Sequence, residues 1–162
     1  MSPKTLSITR EEKGKMGASR YSRQILFSGI GLEGQKRLLS CTGVVIGLGA
    51  LGSNVADLLA RAGVGVLRLV DRDYVDESNL ARQTLYDEED CQQALPKAVA
   101  AARRLREINS EVQYEAVVRD VNFRNVDEVI QGACVVVDGT DNLETRYLIN
   151  DACVERGIPW VY

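Results

Sequence analysis

Short continuous apolar runs alternate along the chain with longer segments whose apolar residues recur at helical spacing. That alternation favours strand–helix–strand units and a parallel sheet covered on both faces. Val44 to Ile46 predicts the first strand, Val66 to Val70 the second, Val112 to Val118 the third and Ala133 to Val137 the fourth. Between the first two, Ser53 to Ala62 carries Val55, Leu58, Leu59 and Ala62 at helical spacing, and Gly63 is a natural stop. Pro96 is expected at the first position of a long helix that runs to about Ile108, where Asn109 ends it. Val126 to Ile130 predicts a short helix. Leu143 to Arg156 predicts a longer one, with Leu148, Ile149, Ala152 and Cys153 inward and Gly157 closing it. Upstream, Arg20 to Ser40 reads as two short helices split by Gly29-Ile30-Gly31.

The junction of the first strand and helix carries the first chemical signal. Val44-Val45-Ile46 breaks into Gly47-Leu48-Gly49-Ala50-Leu51-Gly52. A strand-to-helix turn this tight needs positions without a Cβ. Gly47 and Gly49 would let the backbone pass close to a phosphate, and Gly52 would let the helix pack on the sheet. The helix N-terminus then offers free N–H groups and a positive dipole end to an anion. Asp71 lies roughly 20 residues on, at the end of the second strand, where an acid accepts hydrogen bonds from ribose hydroxyls. The fold class is therefore α/β: a Rossmann-like, doubly wound, mostly parallel sheet preceded by short N-terminal helices. ATP and NAD share the ribose, so this much does not choose between them.

The ends of the chain set the expected organisation. Met1 to Gly17 is polar, with a charge-rich stretch from Thr9 to Lys15, and reads as a mobile arm. Ile158 to Tyr162 begins a further apolar strand, and the sequence stops there without the connection and helix that would cover it. We expect a mobile arm over 1–17 and a nucleotide-binding domain over 18–162, truncated before its end and forming the N-terminal part of a longer chain.

Composition narrows the chemistry. A length of 162 residues is enough for one domain with a proper core. A net charge of −3 and the lack of a basic run argue against a nucleic-acid-binding face. No apolar run approaches the ~20 residues of a membrane span, and the N-terminus lacks an apolar signal region, so the default compartment is the cytoplasm. The chain has no histidine and four cysteines, with no C-x-x-C pair. A zinc site within it is improbable. Cys134 and Cys153 read as small core residues, and Cys41 and Cys91 as thiols without neighbours that would activate them.

Charged residues then separate the nucleotide readings. Ser78-Asn79-Leu80-Ala81-Arg82-Gln83 follows the second strand, Lys97 falls in the first turn of the helix beginning at Pro96, and Asp138-Gly139-Thr140-Asp141-Asn142 follows the fourth strand. In a doubly wound sheet the loops after strands gather at the carboxyl edge, beside the glycine loop. Arg82 and Asp141 should converge there, and Lys97 joins them if the preceding loop folds back. Two cations neutralise phosphate charge, and a carboxylate can hold Mg²⁺ against the phosphates. Each residue taken singly is as well explained as a solvated charge; the set favours a triphosphate over a dinucleotide.

Arg20-Tyr21-Ser22-Arg23-Gln24-Ile25, the glycine loop, Asp71-Arg72-Asp73, Asn79-Leu80-Ala81-Arg82-Gln83, Pro96-Lys97 and Asp138-Gly139-Thr140-Asp141-Asn142 occur in that order. Together they resemble the signature of the ubiquitin-activating-enzyme-like adenylyltransferases, above all the bacterial enzymes that activate sulfur-carrier proteins for molybdopterin or thiamine synthesis. The resemblance implies an ATP- and Mg²⁺-dependent reaction. The C-terminal Gly-Gly carboxylate of a ubiquitin-like sulfur carrier would become an acyl-adenylate, with release of pyrophosphate. It makes Gly47, Gly49, Ala50, Gly52, Asp71 and Asp73 part of the nucleotide site, with Asp71 on the ribose. Asn79, Arg82 and Lys97 become phosphate ligands, Asp141 the Mg²⁺ ligand, and Arg23 the arginine lent across a homodimer to the partner's ATP. Zinc motifs, a crossover loop and often a reactive cysteine would lie beyond Tyr162. Alternatives are a same-family enzyme that adenylates a modified tRNA base before dehydration, an NAD-dependent oxidoreductase, and the inactive half of a heterodimer.

Overall fold

A computed structural model describes residues 20–162. The arm expected over 1–17 lies outside the described residues. The chain divides into two units between Arg37 and Leu38. In the first, the expected pair of helices is present: α1 (Ser22–Leu26) and the start of α2 (Gly31–Leu39). Gly31 takes the turn between them at φ +60°. Gln24 Nε2 donates to the fully buried Gln35 Oε1 at 2.7 Å, a polar pin between the two helices.

The second unit is an α/β layer structure. Five strands, β1 (Thr42–Ile46), β2 (Val66–Asp71), β3 (Gln113–Val118), β4 (Val135–Asp138) and β5 (Trp160–Val161), lie in the order β3-β2-β1-β4-β5. Every adjacent pair runs parallel. The chain winds outward from β1 in one direction through β2 and β3, then returns and winds the other way through β4 and β5. The reversal between β1 and β4 opens a crevice at their carboxyl ends.

The pleat divides the core in two. Val45, Leu67, Leu69 and Val137 face one side, against α3 (Ala50–Ala62) and α5 (Lys97–Ile108). Val44, Ile46, Val70 and Val136 face the other, against α6 (Val126–Ile130) and α7 (Leu143–Arg156). Sheets buried on both faces read as continuous apolar runs, which is the pattern along β1 and β4.

Several expectations shift in detail. Helix α3 starts at Ala50, with Gly49 as its N-cap, rather than at Ser53. Its buried side is Gly52, Ser53, Ala56 and Ala60, while Leu58 is 64 % exposed. Small residues let α3 sit close to the sheet, and Leu58, two residues from both Ala56 and Ala60, falls on the far side of the helix. Pro96 is the N-cap of α5 and not its first residue: its ψ of 138° is extended, and its carbonyl accepts from Val99 and Ala100. β4 begins at Val135, one pleat after Cys134, which is exposed and not a core residue; Cys153 is buried. The excursion between β2 and α5 carries a 3₁₀ turn (Glu77–Asn79) and a capped helix, α4 (Glu88–Gln92), that the apolar pattern does not predict.

Candidate nucleotide site

The carboxyl ends of β1, β2 and β4 border a cleft of roughly 440 Å³. Gly47 turns the chain out of β1 at φ +84°, a left-handed conformation that L side chains avoid. A Cβ at Gly47 would strike the backbone of Gly139, and one at Gly52 would sit on the carbonyl oxygen of Gly47. The turns after β1 and β4 therefore interlock backbone to backbone. Gly52 lies beneath the turn; Gly47, Gly49 and Ala50 line the cleft. No side chain caps α3 at Gly49 and no acid occupies its first turn. An uncapped N-terminus of a 13-residue helix beside a cleft is suited to an anion.

Asp71 is the buried residue at the end of β2. Its Oδ2 accepts from the Leu48 N–H at 2.6 Å and its Oδ1 from the Asp73 N–H at 2.8 Å. Both oxygens thus fasten the glycine loop and the turn after β2. Tyr86 completes the clamp: its buried hydroxyl donates to the Leu48 carbonyl at 2.8 Å. Burial pushes that hydroxyl well up from its ordinary range, and the charges of Asp71 and Asp90 add to the shift. Asp73, by contrast, has a side chain 58 % exposed at the cleft.

Lys97 reaches the cleft because the excursion after β2 closes on itself. Tyr74 and Pro96 form an antiparallel bridge, Val75 N–H donates to Leu95 O at 2.9 Å, and Lys97 N–H donates to Asp73 O at 2.8 Å. This pinch sets Lys97 beside β2, where its buried ammonium lies 3.4 Å from Asp73 Oδ2. Arg82 is exposed, with its guanidinium donating to Ser78 O at 3.0 Å. Asp141 is exposed between the two turns' ends, and among the described residues no hydrogen bond or ion pair engages its carboxylate. Arg82, Lys97, Asp73 and Asp141 all line the one cleft. Asn79 does not line it; it bonds Ser78 and Gln83, and Gln83 forms the wall. Arg23 is exposed on α1, in the first unit.

The model of the ThiF family matches residues 21–162. The chain belongs to that family. It is 53 % identical over 143 residues to the sulfur carrier protein ThiS adenylyltransferase of Bacillus subtilis, covering 88 % of this chain and 43 % of that protein. Identity to the SAMP-activating enzyme E1 of Haloferax volcanii is 48 % over 143 residues, covering 88 % and 52 %. Among solved structures, the E. coli tRNA N6-threonylcarbamoyladenosine dehydratase TcdA in complex with ATP is similar at a TM-score of 0.79. Identity there is 27 %, over 96 % of this chain and 60 % of that one. The chain spans about half the length of the curated relatives it matches. The resemblance to ubiquitin-activating-enzyme-like adenylyltransferases and the Rossmann-like fold are borne out by these matches.

Some of this ThiF-family cleft was not foreseen. Arg119, Asp120 and Val121 follow β3 and line it, as do Thr140, Asn142 and Thr145. The strand-end rule that located Arg82 and Asp141 applies equally to β3, so the first group was within reach. The second is the start of α7, where Asn142 caps the helix by accepting from Thr145 N–H at 2.9 Å. Three of the four cysteines have thiols held away from the nucleophilic thiolate form. Burial and the neighbouring Cys134 push the Cys41 thiol up to about 12, and burial raises Cys153. Desolvation raises Cys91 as well, together with surrounding acids led by Asp76. Among the described residues no group of three or more His, Cys, Asp or Glu could hold a metal, and no helix is long and apolar enough to cross a membrane.

Proposed function

We propose that this chain is the adenylating part of an ATP-dependent adenylyltransferase acting on a ubiquitin-like sulfur-carrier protein. The reading rests on one observation: two cations share a cleft with a carboxylate and a helix N-terminus that, among the described residues, are respectively unengaged and uncapped. A polyphosphate matches that set, because its charge spreads over several oxygens and is met from several sides. The names of the 53 % and 48 % identical relatives supply the class of second substrate. At 27 % identity, the likeness to a tRNA-modifying dehydratase gives less support for a nucleic-acid substrate.

In the reaction, a carboxylate oxygen at the carrier's C-terminus attacks the α-phosphorus of ATP. The bond from that phosphorus to the bridging oxygen breaks, and pyrophosphate leaves with the bonding pair. A carboxylate nucleophile is already ionised, so no base is needed and a chain without histidine can serve. The α3 N-terminus and the glycine turn receive the phosphates; Lys97 and Arg82 offset charge that builds on the phosphoryl oxygens. Asp71 also lines the cleft, but each of its oxygens accepts a backbone N–H, so we assign it to holding the loop and give the ribose hydroxyls to the more exposed Asp73. A single exposed carboxylate suits Mg²⁺, which takes one or two protein carboxylates and fills its shell with water and phosphate oxygens. Asp141 would hold it, and the ion would supply further neutralisation of the polyphosphate. Asn79 acts through Gln83, and Arg23 is assigned to a partner's site in a homodimer, in the cytoplasm.

The test is exchange of labelled pyrophosphate into ATP, with a purified carrier ending in Gly-Gly and the same carrier lacking its last glycine. Exchange that needs the intact carrier supports the proposal. Binding of NADH with no response to Mg-ATP would replace it with the oxidoreductase reading.

A further inference from the structure

We infer that Arg146 is a positioning residue for Asp141, acting through the buried carboxylate of Asp138; this rests on the reading that Asp141 works at the phosphates. Arg146 does not line the cleft. It lies one turn into α7, and its Nε donates to Asp138 Oδ2 at 3.2 Å while its Nη2 donates to Thr140 O at 3.0 Å. Asp138 is fully buried at the end of β4, and its other oxygen accepts from the Thr140 N–H at 2.8 Å and the Thr140 hydroxyl at 2.6 Å. Thr140 is thereby held at its N–H, its hydroxyl and its carbonyl.

Asp141 hangs between two fixed points. On one side is this clamped threonine. On the other is Asn142, whose side chain caps α7 and whose carbonyl accepts from the Arg146 N–H at 3.3 Å. The Asp141 carboxylate has no partner of its own among the described residues, so its place is set by the backbone that carries it. Among the described residues the guanidinium is the one charged group that binds both the strand end and the turn. It is restrained in its turn by the Tyr162 ring, 5.5 Å away, which stacks on Trp160 at 4.7 Å. An arginine fork fits this task because its donors are fixed in one plane, whereas an ammonium meets such acceptors as a point charge.

The test compares Arg146→Met, Arg146→Lys, Asp141→Asn and the Met/Asn double variant by two readouts. In the ligand-free protein, amide hydrogen exchange over 140–142 should quicken in Arg146→Met and recover in part in Arg146→Lys. In calorimetry of ATP binding, the Mg²⁺ concentration needed for half-maximal effect should rise about 10- to 100-fold in Arg146→Met, the range for residues that orient a metal ligand. The double variant should be no worse than Asp141→Asn. Unchanged amide exchange in Arg146→Met, or additive effects in the double variant, would overturn the inference. Neither readout uses the carrier, so absence of carrier-dependent adenylation would sink the proposed function and leave this result standing.

Discussion

Strands β2 and β4 both end on a buried aspartate, and what each aspartate holds can be compared atom by atom. Asp71 accepts the N–H of Leu48, whose carbonyl is held by the Tyr86 hydroxyl. Asp138 accepts the N–H of Thr140, whose carbonyl is held by the Arg146 guanidinium. Each acid thus holds one residue that is clamped at both backbone groups, Leu48 in the glycine loop after β1 and Thr140 in the turn after β4, and each is followed by an exposed acid that lines the cleft, Asp73 or Asp141. The difference is charge. The β2 acid is met by neutral backbone donors, whereas the β4 acid is paired with a cation as well. On the proposed reading, a buried carboxylate with its near partners in place is a frame, and the solvent-facing acid beyond it is the one left for a ligand. Exposure separates the two roles where sequence position does not.

The largest expected effect is on the side that carries the ion pair. Asp138→Ala removes the acceptor for three donors and should lower folding stability by about 3 kcal/mol, the low end of the range for removing one partner of a buried pair, because the guanidinium left behind is about a third exposed and keeps the Thr140 carbonyl. Urea unfolding of the ligand-free protein measures it; a loss under ~1 kcal/mol would deny Asp138 its framing role. Asp71→Ala should cost less, about 1.5–3 kcal/mol for hydrogen bonds to a charged group. If Asp71→Ala weakened ATP binding with an unchanged unfolding midpoint, Asp71 would be a ligand residue and the parallel between the strands would fail.

That second outcome was the one the sequence suggested. An acid at the end of the second strand after a glycine loop carries a ribose reading, and nothing in the one-dimensional pattern shows that the Leu48 N–H also takes one of its oxygens. The alternation of strands and helices was legible because each run buries a face, and α6 falls on the same residues, Val126 to Ile130, as expected. Leu58 misled because helical spacing marks a face without saying which face; the stripe of Gly52, Ser53, Ala56 and Ala60 lies closer to the sheet. The excursion between Asp73 and Lys97 was illegible for a different reason. It is closed by backbone hydrogen bonds between residues far apart in sequence, and such bonds leave no residue-type signature. Yet it is what carries Lys97 to the cleft.

A smaller effect sharpens the comparison at the neutral clamp. Tyr86→Phe deletes the buried hydroxyl that holds the Leu48 carbonyl and leaves the ring in the core. It should cost about 1 kcal/mol, the net worth of a neutral hydrogen bond with some penalty for the unpaired acceptor. Thermal unfolding would register it. A loss as large as that of Asp138→Ala would mean the hydroxyl does more at the β1 turn than hold one carbonyl.

The smallest effect on folding is expected at Asp141, and it bears most directly on function. Its carboxylate is exposed and unengaged among the described residues, so Asp141→Asn should leave stability of the ligand-free protein within about 0.5 kcal/mol. The same variant should lose most of the rise in unfolding temperature that Mg-ATP gives the wild-type protein, because a ligand stabilises only as far as its affinity allows. The contrast with Asp138→Ala is what matters: one acid near β4 should matter to the fold first and to the ligand only through the turn it holds, the other to the ligand and little to the fold. An Asp141→Asn protein that unfolds early without nucleotide, yet keeps its full response to Mg-ATP, would reverse the two roles and remove the carboxylate from the site.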